Sequence, residues 1–257
     1  MSPSEIRRLI RTGKITGPTA GMSKGYTQAN LAILKKEYAF DFLLFCQRNP
    51  KSCPLIDVTD LGSFRPNGIA DGADLRTDIP SYRVYKDGEY VEEVTDITNY
   101  WEDDMVAFLI GCSFTFETPL LEAGIPIRHI EENCNVPMYK TNIQSIKAGI
   151  FEGPTVVSMR PMSSEDAIRA VQITSRFPGV HGSPIHIGDP SQIGITNISK
   201  PDFGDSVTIK DGEIPVFWAC GVTPQAVAMQ SKPSIMITHA PGCMFISDLK
   251  DEKLSVL

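Results

Sequence analysis

The segment that decides the fold runs from residue 215 to residue 242 and reads PVFWACGVTPQAVAMQSKPSIMITHAPG. Its first five residues are apolar and predict a strand over 215–219. Pro224 suits the first turn of a helix, which we expect over 224–231. A second apolar run predicts a strand over 235–238. A strand, a helix and a second strand in succession favour an α/β fold with a mainly parallel sheet.

The same periodicity rules predict elements upstream of this segment. Helices are expected over residues 4–13, 27–48, 115–123 and 163–177. Strands are expected over residues 55–58, 82–86, 89–94, 125–130, 155–159 and 185–187, with hairpin turns at Asp87-Gly88 and Asp211-Gly212. The run 105–110 fits either a buried strand or a helix. We therefore expect two interleaved α/β subdomains. Residues 1–125 plus 215–257 would form the larger one with a mainly parallel sheet, and residues 126–214 the smaller one, of mixed α+β type.

The charge balance and the apolar runs exclude two classes of partner. The chain has 257 residues, with 24 Lys and Arg against 31 Asp and Glu, and a formal net charge of −7. This balance disfavours binding to nucleic-acid phosphates. The longest apolar runs, 42–46 and 105–110, are far shorter than the roughly 20 residues that cross a bilayer. The first residues lack the apolar stretch of a signal peptide, so we expect a cytoplasmic protein with no membrane or nucleic-acid partner. The sequence leaves open whether the protein forms a homo-oligomer.

Two candidate catalytic residues follow the strands of the opening segment. Cys220 comes between a predicted strand and a helix N-terminus, where the helix dipole can lower a thiol pKa or hold a carboxylate. His239 ends the next strand, and a histidine there can act as an acid or a base. A purely structural, buried role is the alternative for both Cys220 and His239. The six cysteines form no C-x-x-C pair, which argues against zinc-ribbon and thioredoxin-like sites.

Two further segments carry reactive side chains. His181, His186 and Asp189 stand within nine residues. On a regular strand the two histidine rings would point to opposite faces, so a shared metal ion requires a turn at 182–184. A metal site at His181 and His186, substrate contact by His186 and a structural role are the alternatives. Cys112 and Glu117 follow the apolar run 105–110. Cys112 and Cys220 facing one substrate would suit a cofactor-free racemase.

The arginines restrict where a carboxylate could be bound. All eleven lie at or before Arg176, so the proline-rich segment 178–241 has none of its own. Arginine is the natural bidentate partner of a carboxylate. A pocket between the two halves of the chain would therefore take its arginine from Arg76, Arg128 or Arg160, each of which could also be an ion-pair residue. Arg76 and Arg128 are the preferred candidates.

Nine ordered stretches resemble one family, the bacterial hydro-lyases grouped with D-glutamate cyclase. These stretches are residues 24–30 (KGYTQAN), 40–50 (FDFLLFCQRNP), 74–80 (DLRTDIP), 106–117 (VAFLIGCSFTFE), 172–178 (QITSRFP), 181–190 (HGSPIHIGDP), 201–205 (PDFGD), 216–225 (VFWACGVTPQ) and 237–242 (ITHAPG). The resemblance implies a two-part α/β fold and loss of water from a small amino or hydroxy carboxylic acid. For the cyclase it implies closure of D-glutamate to 5-oxo-D-proline, with a divalent cation such as Mn²⁺ or Mg²⁺ and no organic cofactor.

Either reaction needs a base, an acid for the departing oxygen and a cation for a spectator carboxylate. His239, Glu117 and Asp189 are the candidate acids and bases, with Cys220 and Cys112 as alternatives. Arg76 and Arg128 are the candidate cations. Three functions stay open: a hydro-lyase, a two-cysteine amino-acid racemase, and a protein that binds a small acid without changing it.

Overall fold

The computed structural model describes residues 1–256, which form six α-helices and eleven strands. The helices are α1 Pro3–Arg11, α2 Lys36–Arg48, α3 Phe114–Glu122, α4 Arg128–Glu131, α5 Ser164–Thr174 and α6 Thr223–Ser231. The strands are β1 Tyr26–Lys35, β2 Leu55–Val58, β3 Tyr82–Lys86, β4 Glu89–Val94, β5 Met105–Gly111, β6 Met138–Gln144, β7 Pro154–Ser163, β8 His186–Ile187, β9 Glu213–Ala219, β10 Met236–His239 and β11 Phe245–Lys250. None of these helices has the length and apolar character that crossing a bilayer requires.

The strands form two sheets. The first has seven strands in the order β2-β5-β1-β10-β3-β4, with β11 also paired to β1, and the second has the order β6-β7-β9-β8. Helices and strands are mixed, so the α/β class is confirmed. The mainly parallel sheet is wrong, because every pairing between the described strands is antiparallel.

The order strand–helix–strand wrongly predicted a parallel pair because its two strands belong to different sheets. β9 pairs with β7 in the second sheet, whereas β10 pairs with β1 in the first. Helix α6 therefore connects the sheets instead of crossing over within one. The predicted boundary at residue 215 assigns β9 to the larger subdomain, although its hydrogen-bonding partners lie in the second sheet.

Three local predictions are also wrong. The predicted helix over 27–48 begins only at Lys36, because β1 takes the preceding residues into the centre of the first sheet. Residues 125–130 form no strand, and Arg128–Glu131 is a single helical turn. Asp211-Gly212 is a turn that leads into β9, with no strand directly before it. By contrast, β2, the β3–β4 hairpin and the strand alternative for 105–110 are confirmed.

The apolar core explains how the two sheets are joined. One face of the first sheet is covered by Phe42 and Phe45 of α2 and by Val227 of α6. The second sheet packs Trp218 and neighbouring side chains against α3 and α5. Between the sheets lies a smaller apolar cluster that includes Cys112 and Cys220, at the ends of β5 and β9. The ends of these two strands therefore meet at the junction, where most of the polar groups described next are found.

Candidate active site

Arg160 is the centre of a buried polar group at the junction of the sheets. It lies on β7, where alternation of side chains puts Ser158 and Arg160 on the same face. Its guanidinium lies 5.3 Å from the ring centre of Phe116 and 5.4 Å from that of Trp218. Nη1 donates to Ser158 Oγ at 3.0 Å, and Nη2 donates to Ser113 Oγ at 3.1 Å. Its side chain is 1% exposed, so the charge must be neutralised inside the protein.

Glu117 of α3 supplies that neutralising charge. Arg160 Nε donates to Glu117 Oε1 at 3.1 Å, and Arg160 Nη2 donates to the same oxygen. Burial by itself would raise the pKa of Glu117, but the contacts with His129 and Arg160 outweigh it and lower the pKa to about 2. Glu117 is therefore a carboxylate at neutral pH. It can stabilise a positive charge, but it has no proton to donate.

His129 connects this ion pair to a cavity. Its ring lies on α4, 1% exposed, and stacks on Phe114 with a centroid distance of 6.2 Å. Nε2 is 3.1 Å from Glu117 Oε1, although the two groups are not aligned for a hydrogen bond. His129 also lines an open cavity of about 370 Å³, large enough for a small acid. The other lining residues are Pro18, Ala20, Ile130, Asn133, Cys134, Asn135 and Asp205.

The two predicted cysteines lie behind this cavity. Cys112 and Cys220 share the apolar cluster at the junction with Phe114, and Ala20 of the cavity wall packs against it. Burial raises the pKa of Cys220 to about 11, with the Val222 N–H and Arg160 acting in the opposite direction. Burial also raises the pKa of Cys112 well above its ordinary value. Both groups are therefore protonated thiols at neutral pH, which leaves little thiolate for nucleophilic or base chemistry.

The turn after Cys220 packs tightly against β1. A Cβ atom on Gly221 would come 1.9 Å from Asn30 Nδ2, so no other residue fits without moving that side chain. Asn30 Nδ2 in turn donates to the carbonyl of Gly111 at 2.7 Å. Asn30 thereby ties the end of β5 to the turn that carries Cys220.

His181 lies near Arg160, but its ring contacts the backbone instead. Its Nδ1 lies 2.7 Å from the carbonyl of Lys51, so Nδ1 carries the proton in the neutral ring. Burial lowers the pKa of His181 to about 4, with Arg160 adding to the effect. His181 adopts a left-handed backbone with φ of 86°, and its buried Nε2 has no hydrogen-bond partner within residues 1–256.

His239 takes part in the first sheet. Its Nδ1 accepts the N–H of Leu31 on β1 at 3.1 Å, and Gln225 Nε2 donates to its carbonyl at 2.8 Å. Burial lowers the pKa of His239 to about 4, so the ring is neutral at pH 7. Among the described residues, no hydrogen bond or ion pair connects this ring with Arg160 or Glu117.

His186 and Asp189 lie together at a surface turn. His186 Nε2 is 2.7 Å from the carbonyl of Asp189, and the Asp189 carboxylate accepts the N–H of Ser191 at 2.9 Å. Within residues 1–256, no group of three or more His, Cys, Asp and Glu side chains is arranged to hold a metal ion. His181 and His186 each contact a different backbone carbonyl through one ring nitrogen, and a metal site at these two residues stays a prediction.

The two preferred arginines already have acidic partners. Arg76 pairs with Asp74, with Nη2 2.7 Å from Oδ2, and its guanidinium stacks 3.4 Å from the ring centre of Phe64. Arg128 pairs with Glu131 at 3.0 Å and with Glu213 at 2.5 Å. Of the three arginines considered, Arg160 is the one that lies beside Glu117 and the two cysteines.

The structure thus brings together Glu117, Cys112 and Cys220 from the predicted set, and separates His239, His186, Asp189, Arg76 and Arg128 from them. The reasoning from sequence missed His129, because residues 125–130 resemble a strand. One signal could have found it: His129 directly follows Arg128, a candidate substrate-binding residue, and lies outside the proline-rich segment that contains the other three histidines.

Comparison with known proteins gives the class. A protein of Geobacillus kaustophilus (strain HTA426), named "Putative hydro-lyase GK2103", is 68% identical over 257 residues, covering 100% of this chain and 98% of the relative. "Putative hydro-lyase YcsI" of Bacillus subtilis (strain 168) is 64% identical, covering 100% of both chains. A solved structure, a nitrogen repressor-like protein from Methanococcus jannaschii, has a TM-score of 0.38 and 10% identity, covering 95% of this chain and 97% of that one, and supports no inference.

A family model places the chain more specifically. The model described as D-glutamate cyclase matches residues 106–248, which include β5, α3, His129, Arg160 and Cys220. This chain belongs to the D-glutamate cyclase family, and the resemblance inferred from the nine stretches is confirmed.

Proposed function

We propose that this protein is a lyase that removes water from a small amino or hydroxy carboxylic acid. The reaction to be tested first is closure of D-glutamate to 5-oxo-D-proline. Family membership supports the reaction class. The observation that carries the proposal is that His129 both lines the cavity and contacts Glu117, which is bound to Arg160.

The chemistry of cyclisation sets what the site must do. A bond forms between the amine nitrogen and the carbon of the distal carboxyl group, and one C–O bond of that carboxyl breaks. The nitrogen loses two protons, and the departing oxygen leaves with them as water. A single group that accepts a proton from nitrogen and returns it to oxygen would serve both needs.

His129 is suited to that proton transfer. His129 is one of the cavity-lining residues, with a side chain that is 1% exposed, and ionised Glu117 stands 3.1 Å from its Nε2. When the ring gains a proton, the carboxylate stabilises the imidazolium, as the acidic partner of a catalytic histidine does elsewhere. Glu117 therefore acts through His129 as a positioning and charge-stabilising residue.

Arg160 keeps Glu117 ionised beside His129, but it does not itself line the cavity. Its hydrogen bonds to Glu117, Ser158 and Ser113 use four of the five guanidinium N–H donors. The fifth, on Nη1, has no acceptor within residues 1–256. The effect of this buried cation on Glu117 is strong because little water competes with it. Elimination from a hydroxy acid would use His129 and Glu117 in the same way, with His129 taking the proton α to the carboxylate.

The two-cysteine racemase receives less support. Such an enzyme needs one thiolate at neutral pH, and burial raises the pKa of both Cys112 and Cys220. A protein that only binds an acid would leave the substrate intact, so measurement of turnover separates it from a lyase.

The test is an assay with purified protein and a panel of D-glutamate, L-glutamate and small 2-hydroxy acids. Products that have lost water are measured by mass spectrometry. Each reaction is run with a chelator and again with Mn²⁺ or Mg²⁺ added, because the family resemblance implies a cation. Turnover of at least one acid is expected. Absence of turnover across the panel under both conditions would contradict the proposal.

A variant locates the reaction. His129→Asn removes the imidazole ring while keeping a polar side chain. We expect kcat to fall by roughly 100-fold or more, since positioned acid–base catalysis contributes about 10²–10⁴-fold. An unchanged kcat in a folded His129→Asn protein would exclude this residue as the proton-transfer group.

A further inference from the structure

The segment Pro201–Asp205 ends at Asp205, a cavity-lining residue that the proposed proton transfer does not use. Asp202 N–H and Phe203 N–H both donate to the carbonyl of Met138, at 2.9 and 3.1 Å, and Met138 N–H donates to the carbonyl of Phe203 at 2.9 Å. These bonds hold the segment alongside β6, in a defined position relative to the second sheet.

Gly204 brings the next residue to the cavity. Its φ is +73°, and a Cβ atom there would lie 2.0 Å from the carbonyl oxygen of Val136. Only glycine allows this approach. Asp205 and Asn135 then bind each other: Asn135 N–H donates to Asp205 Oδ2 at 2.9 Å, and Asp205 N–H donates to the carbonyl of Asn135 at 3.2 Å.

The cavity wall at this end is rich in acceptors. Asp205 contributes a carboxylate, and the lining residues within the described chain include no lysine or arginine. Asn135 Nδ2 donates to the carbonyl of Pro241 at 3.0 Å, whereas its Oδ1 is buried and accepts no hydrogen bond within residues 1–256. Gly242 packs against this amide and keeps it in place, since a Cβ there would lie 2.6 Å from Nδ2.

We infer that Asp205 binds the ammonium group of an amino-acid substrate and makes the cavity selective for amino acids over acids that lack the amine. This inference rests on the proposed function and identifies a specificity-determining residue for it. An ammonium group offers three donors and a positive charge, which match the carboxylate of Asp205. A hydroxyl group at the same place offers one donor and no charge. The distal carboxyl group would then face His129.

The test compares Asp205→Asn with Asp202→Asn. Both variants replace a carboxylate in the same segment, but Asp202 accepts the N–H of Lys140 at 2.8 Å and does not line the cavity. Asparagine at 205 can still accept the Asn135 N–H, so the loop keeps its hydrogen bond. The ligands are D-glutamate and glutarate, which is the same dicarboxylate without the amine. Binding is measured by calorimetry, and formation of 5-oxoproline is followed separately.

Wild-type protein and Asp202→Asn should bind D-glutamate more tightly than glutarate. In Asp205→Asn, the affinity for D-glutamate should fall by about tenfold or more, as loss of one charged contact predicts, with glutarate unchanged or tighter. An equal effect on both ligands, or no effect on D-glutamate, would overturn the assignment of Asp205, as would failure of wild type to bind either ligand. If D-glutamate binds with this dependence on Asp205 but is never converted, the recognition holds and the proposed lyase reaction fails.

Discussion

Arg160 binds Glu117 through two of its nitrogens inside the protein, with Nε 3.1 Å from Oε1 and Nη2 donating to the same oxygen. The two side chains are 1% and 3% exposed. Neither charge can be hydrated if the other is removed, so each holds the other in the charged state. The pair joins α3 to β7 and thereby one edge of the candidate site to the second sheet.

Glu117→Gln should therefore destabilise the protein strongly. The substitution leaves Arg160 as an uncompensated buried charge, and we expect the free energy of unfolding to fall by about 3–5 kcal/mol. Urea unfolding at pH 7 measures the change. Asp74→Asn is the control, because it breaks an Arg–Asp pair in which both side chains are about one-fifth exposed. That change should cost about 1 kcal/mol or less, and equal losses in the two variants would contradict the special role of burial.

The acid sensitivity of the fold should depend on His239. Its folded pKa of about 4 lies below the ordinary value of 6.5, so between these values the unfolded chain binds a proton that the folded protein does not. Stability from this residue is present above pH 6.5 and is lost as the pH falls toward 4. His239→Asn keeps an acceptor for the Leu31 N–H but does not titrate. The slope of unfolding free energy against pH should become shallower by up to about 1.4 kcal/mol per pH unit. An unchanged slope in urea unfolding between pH 4.5 and 6.5 would contradict this account.

Gly221→Ala should disturb the site more than another glycine change of the same kind. The added Cβ would lie 1.9 Å from Asn30 Nδ2 and displace the side chain that ties β5 to the turn after β9. Gly17→Ala is the matched control, since a Cβ there has nothing within 4 Å and neither glycine has a positive φ. We expect Gly221→Ala to lower the melting temperature by several degrees, consistent with overpacking of about 1–3 kcal/mol. Gly17→Ala should change it little, and similar melting temperatures would show that Asn30 moves freely.

The cysteines should react with a thiol reagent in two groups. Cys134 is half-buried, whereas Cys46, Cys53, Cys112, Cys220 and Cys243 are buried. Burial also raises the pKa of Cys220 and Cys112. A chromogenic disulfide reagent at pH 7.5 should therefore react fast with one thiol of the native protein and with six after denaturation. Cys134→Ser should abolish the fast reaction, and a fast phase that persists in that variant would show that a buried thiol is reachable.

The sequence correctly predicted those elements whose formation depends on neighbouring residues. Asp87-Gly88 predicted the β3–β4 hairpin because the turn needs positive φ at both residues, and the structure has it there. β1 was taken for the start of a helix because Thr27 resembles a cap. In the structure, β1 is buried along nearly its whole length, since strands or apolar layers cover it on every side, and it therefore lacks the alternating pattern of a half-exposed strand.

The candidate site shows the same limit. Glu117, Cys112 and Cys220 were predicted because they follow apolar runs of the sequence, and the structure brings the ends of β5 and β9 together at the junction of the two sheets. His239 ends a strand as well, but its ring is used by the backbone of β1. The partner of Arg160 could not be predicted, because Glu117 is 43 positions away and only the fold brings the two side chains together.

The position of β1 has a consequence for synthesis of the chain. One edge of β1 is paired with β5, and the other is shared by β10 and β11. Leu31 and the His239 ring that accepts its N–H are 208 positions apart. At about 5–20 residues per second, a ribosome needs roughly 10–40 s between making the two. During that interval one edge of this apolar strand has no pairing partner. Release of the nascent chain before residue 236 would therefore expose an unpaired edge that is prone to aggregation. Strands β10 and β11, which are synthesised last, cover this edge.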